Sequence, residues 1–296
     1  MQDGHKPVLV EQILELLAPE PGMVYLDCTL GLAGHAKLLG ERISPGGEVI
    51  GLDMDPGNLA AAWENLAGAA VPCRFIQGNF SDLQSLDVGK VDLLLADLGF
   101  SSNQMADAGR GLTFSEDGPL DMRLDPSLGQ KASDLVNELP EKELADLIYQ
   151  YGEERLSRKI ARKIVDQRVR EPILTTGSLA ALVRRVYGAS ARGQRIDPAT
   201  STFMALRIAV NGELQALERL LESLPHVLKP GARAGIISFH SLEDRLVKQA
   251  MVRWDKEGLG HRLTKKPIVA NMSQRRENPR SRSAKLRVMQ WVGHRA

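Results

Sequence analysis

The fold turns on residues 23–35, MVYLDCTLGLAGH. An apolar run ends in the acid Asp27, passes through a turn holding Gly31 and Gly34, and enters a helical pattern at His35. Strand, glycine turn and helix in that order open a βαβ unit. Upstream, Val10, Ile13, Leu14 and Leu17 recur at helical spacing over residues 8–18, and Pro19-Glu20-Pro21-Gly22 makes a turn. Downstream, Ser44-Pro45-Gly46-Gly47 stops the helix, and EVIGLD at 48–53 is a second strand that again ends in acid. Residues 58–67 form an Ala-rich helix, and residues 74–80 and 91–100 read as third and fourth strands. The run VDLLLAD is nearly all apolar, as a parallel strand covered on both faces requires.

The pattern then changes. Residues 107–130 are rich in Gly, Asp and Pro and too long for a simple connection, so an ordered functional loop is expected. Residues 132–187 carry four helical segments, ASDLVNEL, EKELADLIYQY, ERLSRKIARKIVDQRV and SLAALVRRVY. In the third, Leu156, Ile160 and Ile164 form an apolar seam, and Arg155, Arg158, Lys159, Arg162 and Lys163 lie off it. Asp197-Pro198 opens a further helix that runs into a long one ending near Leu224. Residues 232–240 make a fifth strand, SLEDRLVKQAMVRW the helix after it, and residues 284–292 a last strand. The expected fold is α/β, one sheet interrupted by a helical insertion: residues 1–106 and 209–296 form the sheet domain, and 107–208 the insertion.

The first turn is a place where backbone can approach a ligand at the carboxyl edge of a parallel sheet. Asp53, at the end of the second strand, can accept hydrogen bonds from both hydroxyls of an adenosine ribose. A dinucleotide and S-adenosylmethionine both fit that description. Three features favour the methyl donor. The turn lacks the G-x-G-x-x-G cradle for a pyrophosphate, with Ala33 at its second glycine position. Asp27 suits a cationic amine and repels a pyrophosphate. Phe80 follows the third strand, where an aromatic can pack on adenine.

The fourth strand ends Asp97-Leu98-Gly99-Phe100. An acid followed by a tight turn and an aromatic is what methylation of an amino group needs. The carboxylate accepts from the target NH2 and orients its lone pair, and the ring stacks on the base. The bland alternative is an acid that ends a strand and an apolar loop anchor. His240 ends the fifth strand and is either a structural histidine or one that faces the site. His, Asp and Cys do not cluster at ligand spacing, so no catalytic metal is expected.

Composition sets the outer bounds. The chain has 296 residues, 43% hydrophobic and 25% charged, with only Cys28 and Cys73, so disulfide scaffolds and zinc ribbons are excluded. The longest apolar runs fall far below the ~20 residues of a membrane span. Residues 1–7 are polar with no signal-peptide core, so a cytoplasmic protein is expected. The net charge of +1 hides an uneven distribution: residues 261–296 carry +9, residues 153–195 carry +7, and the remainder −15. Two basic segments on an acidic body suggest a polyanionic partner, the alternative being a solvated helix face and a frayed tail.

Taken together, YLDCTLGLAGHA, GLDMDP, DLGFSSNQMAD, RGLTFSEDGPLDMRLDP, YGEERLSRKIARKIV, DPATSTFMALRI and SFHSLEDRLVK resemble the bacterial 16S rRNA (cytosine-N4)-methyltransferases. The resemblance runs essentially end to end, and GPLDMR with SFHSLEDR is a highly specific pair. It implies a Rossmann-like class I methyltransferase sheet with a helical insertion. It implies S-adenosyl-L-methionine as donor, and N4 of a cytidine in the decoding region of 16S rRNA, within the small ribosomal subunit, as target. By motif position, Ala33, Gly34 and His35 would contact the cofactor, Asp53 the ribose and Phe80 the adenine. Asp97 and Gln104 would sit at the methionine end near the target base, with Asp97 and Phe100 catalytic. Arg158, Arg162 and Lys163 of the insertion would hold RNA.

The chain departs from the family pattern at Ala33 (Gly), Asn103 (Pro), Asp197 (His), Ser201 (Arg) and Met204 (Gln). The last three lie on the expected substrate side, which leaves room for a drifted RNA target. Two other classes compete: an NAD-type oxidoreductase, opposed by the missing third glycine, and a non-catalytic RNA-binding assembly factor, opposed by intact Asp97, Phe100 and Gln104.

Overall fold

The computed structural model describes residues 7–100, 104–105, 107–191, 193 and 196–293. The chain divides into two compact units, Met1–Gly99 with Leu214–Ala296, and Phe100–Glu213.

The first unit is built on an eight-stranded sheet in the order β3-β2-β1-β4-β5-β8-β6, with β7 beside β8. The strands are β1 (Val24–Asp27), β2 (Glu48–Asp53), β3 (Cys73–Gln77), β4 (Val91–Asp97), β5 (Leu228–Ser238), β6 (Gly260–Arg262), β7 (Ile268–Val269) and β8 (Lys285–Trp291). β1 to β5 pair in parallel, and β8 runs antiparallel to β5, β6 and β7. This is the Rossmann-like α/β sheet that the sequence implied, made mixed by the antiparallel β8, which the sequence reading did not anticipate.

Side chains alternate across a strand, so each central strand feeds two cores. Leu26, Ile50, Leu94 and Ile236 pack under α9 (Glu213–Val227) and α10 (Ser241–Lys256), against Leu220, Leu224, Val247 and Trp254. Tyr25, Val49, Leu93 and Leu95 pack under α1 (Val10–Leu17), α2 (Gly34–Ile43) and α3 (Pro56–Asn65), against Ile13, Leu39 and Ala62. Two covered faces explain the apolar run Leu93-Leu94-Leu95-Ala96 of β4.

Several elements differ from their sequence-based bounds. β3 stops at Gln77, and Phe80 opens a 3-10 turn, because the Asn79 side chain accepts the Ser81 N–H and bends the chain. β4 stops at Asp97. β5 starts early at Leu228, where pairing with Val91 is interrupted before it resumes at Arg233–Leu93. β6, β7 and α11 (Met272–Glu277) were not foreseen; elements of two to six residues are too short to show a period. The basic carboxyl-terminal region is not a frayed tail: β8 lies inside the sheet, and Arg287, 5% exposed, forks onto Asp244 at 2.7 Å.

The second unit is helical: α4 (Ala132–Glu138), α5 (Glu141–Gly152), α6 (Ser157–Arg168), α7 (Thr176–Tyr187) and α8 (Ala199–Asn211). Its core joins Leu135, Ile148, Ile160, Ile164, Val183 and Phe203. Leu120 and Met122 of the polar 107–130 stretch enter the same core. Arg123 organises that stretch: it forks onto Asp121 and reaches the carbonyls of Pro126 and Leu128. The helical run from Asp197 towards Leu224 is broken at Gly212, whose φ of +59° ends α8. Among the described residues no helix is long and apolar enough to cross a membrane.

Candidate active site

Three carboxylates end three neighbouring parallel strands: Asp53 on β2, Asp27 on β1 and Asp97 on β4. Neighbouring strands lie about 4.8 Å apart, so strand order alone gathers the three acids at one sheet edge. The turn after β1 is stitched to both neighbours. Cys28 N–H donates to Leu95 O at 2.8 Å, and Leu30 N–H to Leu52 O at 2.9 Å. Thr29 Oγ1 accepts the backbone N–H of Asp97 at 2.7 Å, and Gly31 N–H donates to Asp53 Oδ2 at 2.8 Å. The Leu30 side chain fits because β2 carries Gly51; a Cβ there would lie 2.5 Å from Leu30 Cδ2.

Asp27 is buried. Tyr25 Oη donates to its Oδ2 at 2.8 Å and Thr29 N–H to its Oδ1 at 3.1 Å. Burial pushes its carboxyl up to about 6, partly offset by the nearby charge of His35 and by these hydrogen bonds. Ala33 precedes α2 in the left-handed conformation, φ +64° and ψ +26°, which explains why glycine is usual there. A Cβ on Gly34 would lie 3.3 Å from Pro7 Cγ, so the chain passes closely here. His35 is buried on α2 with Nε2 3.7 Å from Asp97 Oδ2. That is too long for a hydrogen bond, and both His35 Nε2 and Asp97 Oδ1 are buried with no hydrogen-bond partner among the described residues. Buried polar groups are rarely left so, and an active site is one place where they are.

Asp53 is more heavily engaged than the sequence suggests. Besides Gly31 it accepts from Asp55 N–H at 2.9 Å and from Asn58 Nδ2 at 3.2 Å. Burial pushes its carboxyl above the usual range and these bonds pull it back. Phe80 is half-buried and packs against the core cluster that holds Ile50 and Leu52. Sequence reasoning missed Tyr25, Thr29 and Asn58, although Thr29 lies in the quoted turn. It also missed Arg280, whose guanidinium burial holds below its usual range while the charge of Asp97 pulls it back.

His240 acts as a helix cap. Its Nδ1 accepts the Glu243 N–H at 3.4 Å, and Glu243 Oε2 accepts from Phe239 and His240 N–H at the start of α10.

In the second unit, the Arg207 guanidinium lies 4.9 Å from the Phe100 ring centroid, and Gln104 is buried. Arg158, Arg162 and Lys163 share the exposed face of α6. Arg162 lies 3.4 Å from Glu141 and Lys163 3.8 Å from Asp166, both solvated pairs of small energy. Asp197 starts α8 by accepting the Ala199 N–H and binds Arg184 at 2.8 Å, so this departure has a structural partner. Ser201 and Met204 are half-buried on α8, and Asn103 lies outside the described residues.

The MraW methylase family matches residues 2–292. The chain belongs to that family. Proteins named ribosomal RNA small subunit methyltransferase H are similar across almost the whole length. The one from Sorangium cellulosum is 47% identical over 98% of this chain and 92% of its own. Those from Coprothermobacter proteolyticus and Deinococcus radiodurans are 48% and 49% identical, each over 96% of this chain and 95% and 89% of their own. The MraW-family chain is thus a methyltransferase. Its sheet edge suits the donor expected from the sequence, S-adenosylmethionine. Three acids favour a cationic sulfonium and amine over a pyrophosphate, and among the described residues the buried Asp97 Oδ1 and His35 Nε2 lack partners.

Proposed function

We propose that this chain methylates the exocyclic N4 of a cytidine in the decoding region of small-subunit rRNA. The relatives' names support the RNA class. The observation that carries the amine chemistry is Asp97, which ends β4 with an unpartnered buried Oδ1 and is followed by the Gly99-Phe100 turn.

In this reading Asp53 holds the donor's ribose, Phe80 flanks its adenine, and Ala33, Gly34 and His35 line its path. Asp27 faces its amine, and Asp97 and Gln104 serve the methionine end. S-adenosylmethionine, the expected donor, would supply an electrophilic methyl group, its C–S bond breaking with the electron pair left on a neutral thioether sulfur. Cytosine N4 is a weak nucleophile because its lone pair is delocalised into the ring. Asp97 accepts one N4–H, which turns the lone pair out of conjugation and along the line of attack. As N4 gains the methyl group it becomes cationic; the carboxylate stabilises that charge and takes the surplus proton. Phe100 stacks on the base, a contact worth about 1–3 kcal/mol in single-strand recognition. Arg158, Arg162 and Lys163 bind backbone phosphates.

Mass spectrometry of small-subunit rRNA from a strain lacking the gene tests this. Loss of N4-methylcytidine at one decoding-region position, restored by the wild-type gene but not by Asp97→Ala, is expected. An unchanged modification profile overturns it, and loss of another methylated base points to a drifted target.

A further inference from the structure

Phe100 is half-buried, yet it belongs to none of the three apolar clusters of the described residues. The Arg207 guanidinium lies 4.9 Å from its ring centroid. That cation is held at both ends. Arg207 Nε and Nη2 donate to Glu213 Oε1 and Oε2 at 2.7 and 2.9 Å, a side-on fork. Its carbonyl accepts from Asn211 Nδ2 at 2.9 Å, and Asn211 also holds Met122 O and Leu124 N. Gly212 makes the fork possible, because its positive φ ends α8 and lets Glu213 fold back onto Arg207.

A guanidinium fixed in this way sets the plane of an aromatic ring at little entropic cost. We infer that Arg207, clamped by Glu213, is a positioning residue that holds Phe100 in the orientation in which it stacks on the target pyrimidine. This rests on the reading of Phe100 as the base-stacking residue. Lysine cannot replace arginine here, since an ammonium makes neither the fork nor the planar contact.

The test is a double-mutant cycle in methyl transfer to small subunits purified from a strain lacking the enzyme. Donor affinity is measured separately by calorimetry. Arg207→Met and Arg207→Lys should each lower kcat about tenfold, the size of a partly desolvated cation–π contact, with donor affinity unchanged. In the Phe100→Ala background they should cost nothing further. Glu213→Gln should give a smaller loss of the same kind, and it carries the cycle if the Arg207 variants do not fold. Wild-type kcat in folded Arg207 variants, or losses that simply add to that of Phe100→Ala, overturn the inference. If Phe100→Ala itself keeps wild-type kcat and KM, it is the base-stacking reading that fails.

Discussion

His35 Nε2 stands 3.7 Å from Asp97 Oδ2, and among the described residues neither that nitrogen nor Asp97 Oδ1 has a hydrogen-bond partner. The backbone of Asp97 is nevertheless held in place, because its N–H donates to Thr29 Oγ1 at 2.7 Å. A carboxylate on an anchored strand end with an unused acceptor can receive a hydrogen-bond donor with little reorganisation.

Asp97→Ala should therefore lower the single-turnover methyl-transfer rate by about 10²–10³ at saturating donor and RNA. Donor affinity, measured in the same variant, separates loss of catalysis from loss of binding. Near wild-type rates would make Asp97 a structural residue only.

Asp53 supports its own turn as well as having the proposed role of holding the donor's ribose. Asp53→Ala should cost stability through the orphaned Gly31 and Asp55 N–H groups, about 1–3 kcal/mol for each buried one left unpaired. Asp53→Asn keeps an acceptor and should fold better while still weakening the donor. Calorimetry on both, with urea melts, checks the split; unchanged donor affinity in folded Asp53→Asn would count against the ribose role.

Asp27 titrates in the folded protein at about 6, above its value of 3.8 in the unfolded chain. Between those values the native state binds more protons, so stability falls as pH rises from about 4 to 6 and then levels. The cost is about 3 kcal/mol at neutral pH. Asp27→Asn should recover part of it at pH 7.5 and none at pH 4. If Asp27 faces the donor's amine as proposed, binding needs its charge, so affinity should drop as pH falls through about 6, and Asp27→Asn should lose that dependence. Calorimetry from pH 5 to 8 reads both, and identical profiles for the two proteins would contradict the assignment.

Ala33 pays for a left-handed conformation that glycine adopts freely. Ala33→Gly relieves that strain but loses a buried methyl and backbone entropy, so stability should stay within about 1 kcal/mol of wild type. Ala33→Val adds β-branching at the same φ and should cost more than about 2 kcal/mol. Equal urea midpoints for the two variants would show that the conformation is not what constrains this position.

Neutralising Arg158, Arg162 and Lys163 should weaken RNA binding and reduce the slope of log K against log salt by about 0.7–0.9 per lost phosphate contact. Thermal stability should barely move, because the ion pairs to Glu141 and Asp166 are exposed. Wild-type affinity and slope would leave α6 merely a solvated face.

The sheet was legible because its information is local. Apolar runs ending in Asp27, Asp53 and Asp97, each followed by turn residues, mark three strand ends without any knowledge of packing. The seam of Leu156, Ile160 and Ile164 marked the buried side of α6 in the same way, and Ile160 and Ile164 are fully buried. β6, β7 and α11 escaped notice because they are held by pairing with β8 or by their caps, not by a period of their own. Gly212 was overlooked because one glycine inside an apolar helical pattern does not announce a positive φ.

Residue types and spacing were enough to place a carboxylate at the end of each of three strands and an aromatic after the last. Only the tertiary structure decided that β2, β1 and β4 are neighbours, so that three acids distant in sequence share one edge. Only it could show that Thr29 holds the backbone of Asp97, that Asp53 carries the glycine turn, and that Glu213 locks Arg207 against Phe100. A strand's periodicity is set by its own backbone geometry and can be read from neighbouring residues. A hydrogen bond between residues far apart along the chain depends on how whole elements pack, and no local pattern encodes it.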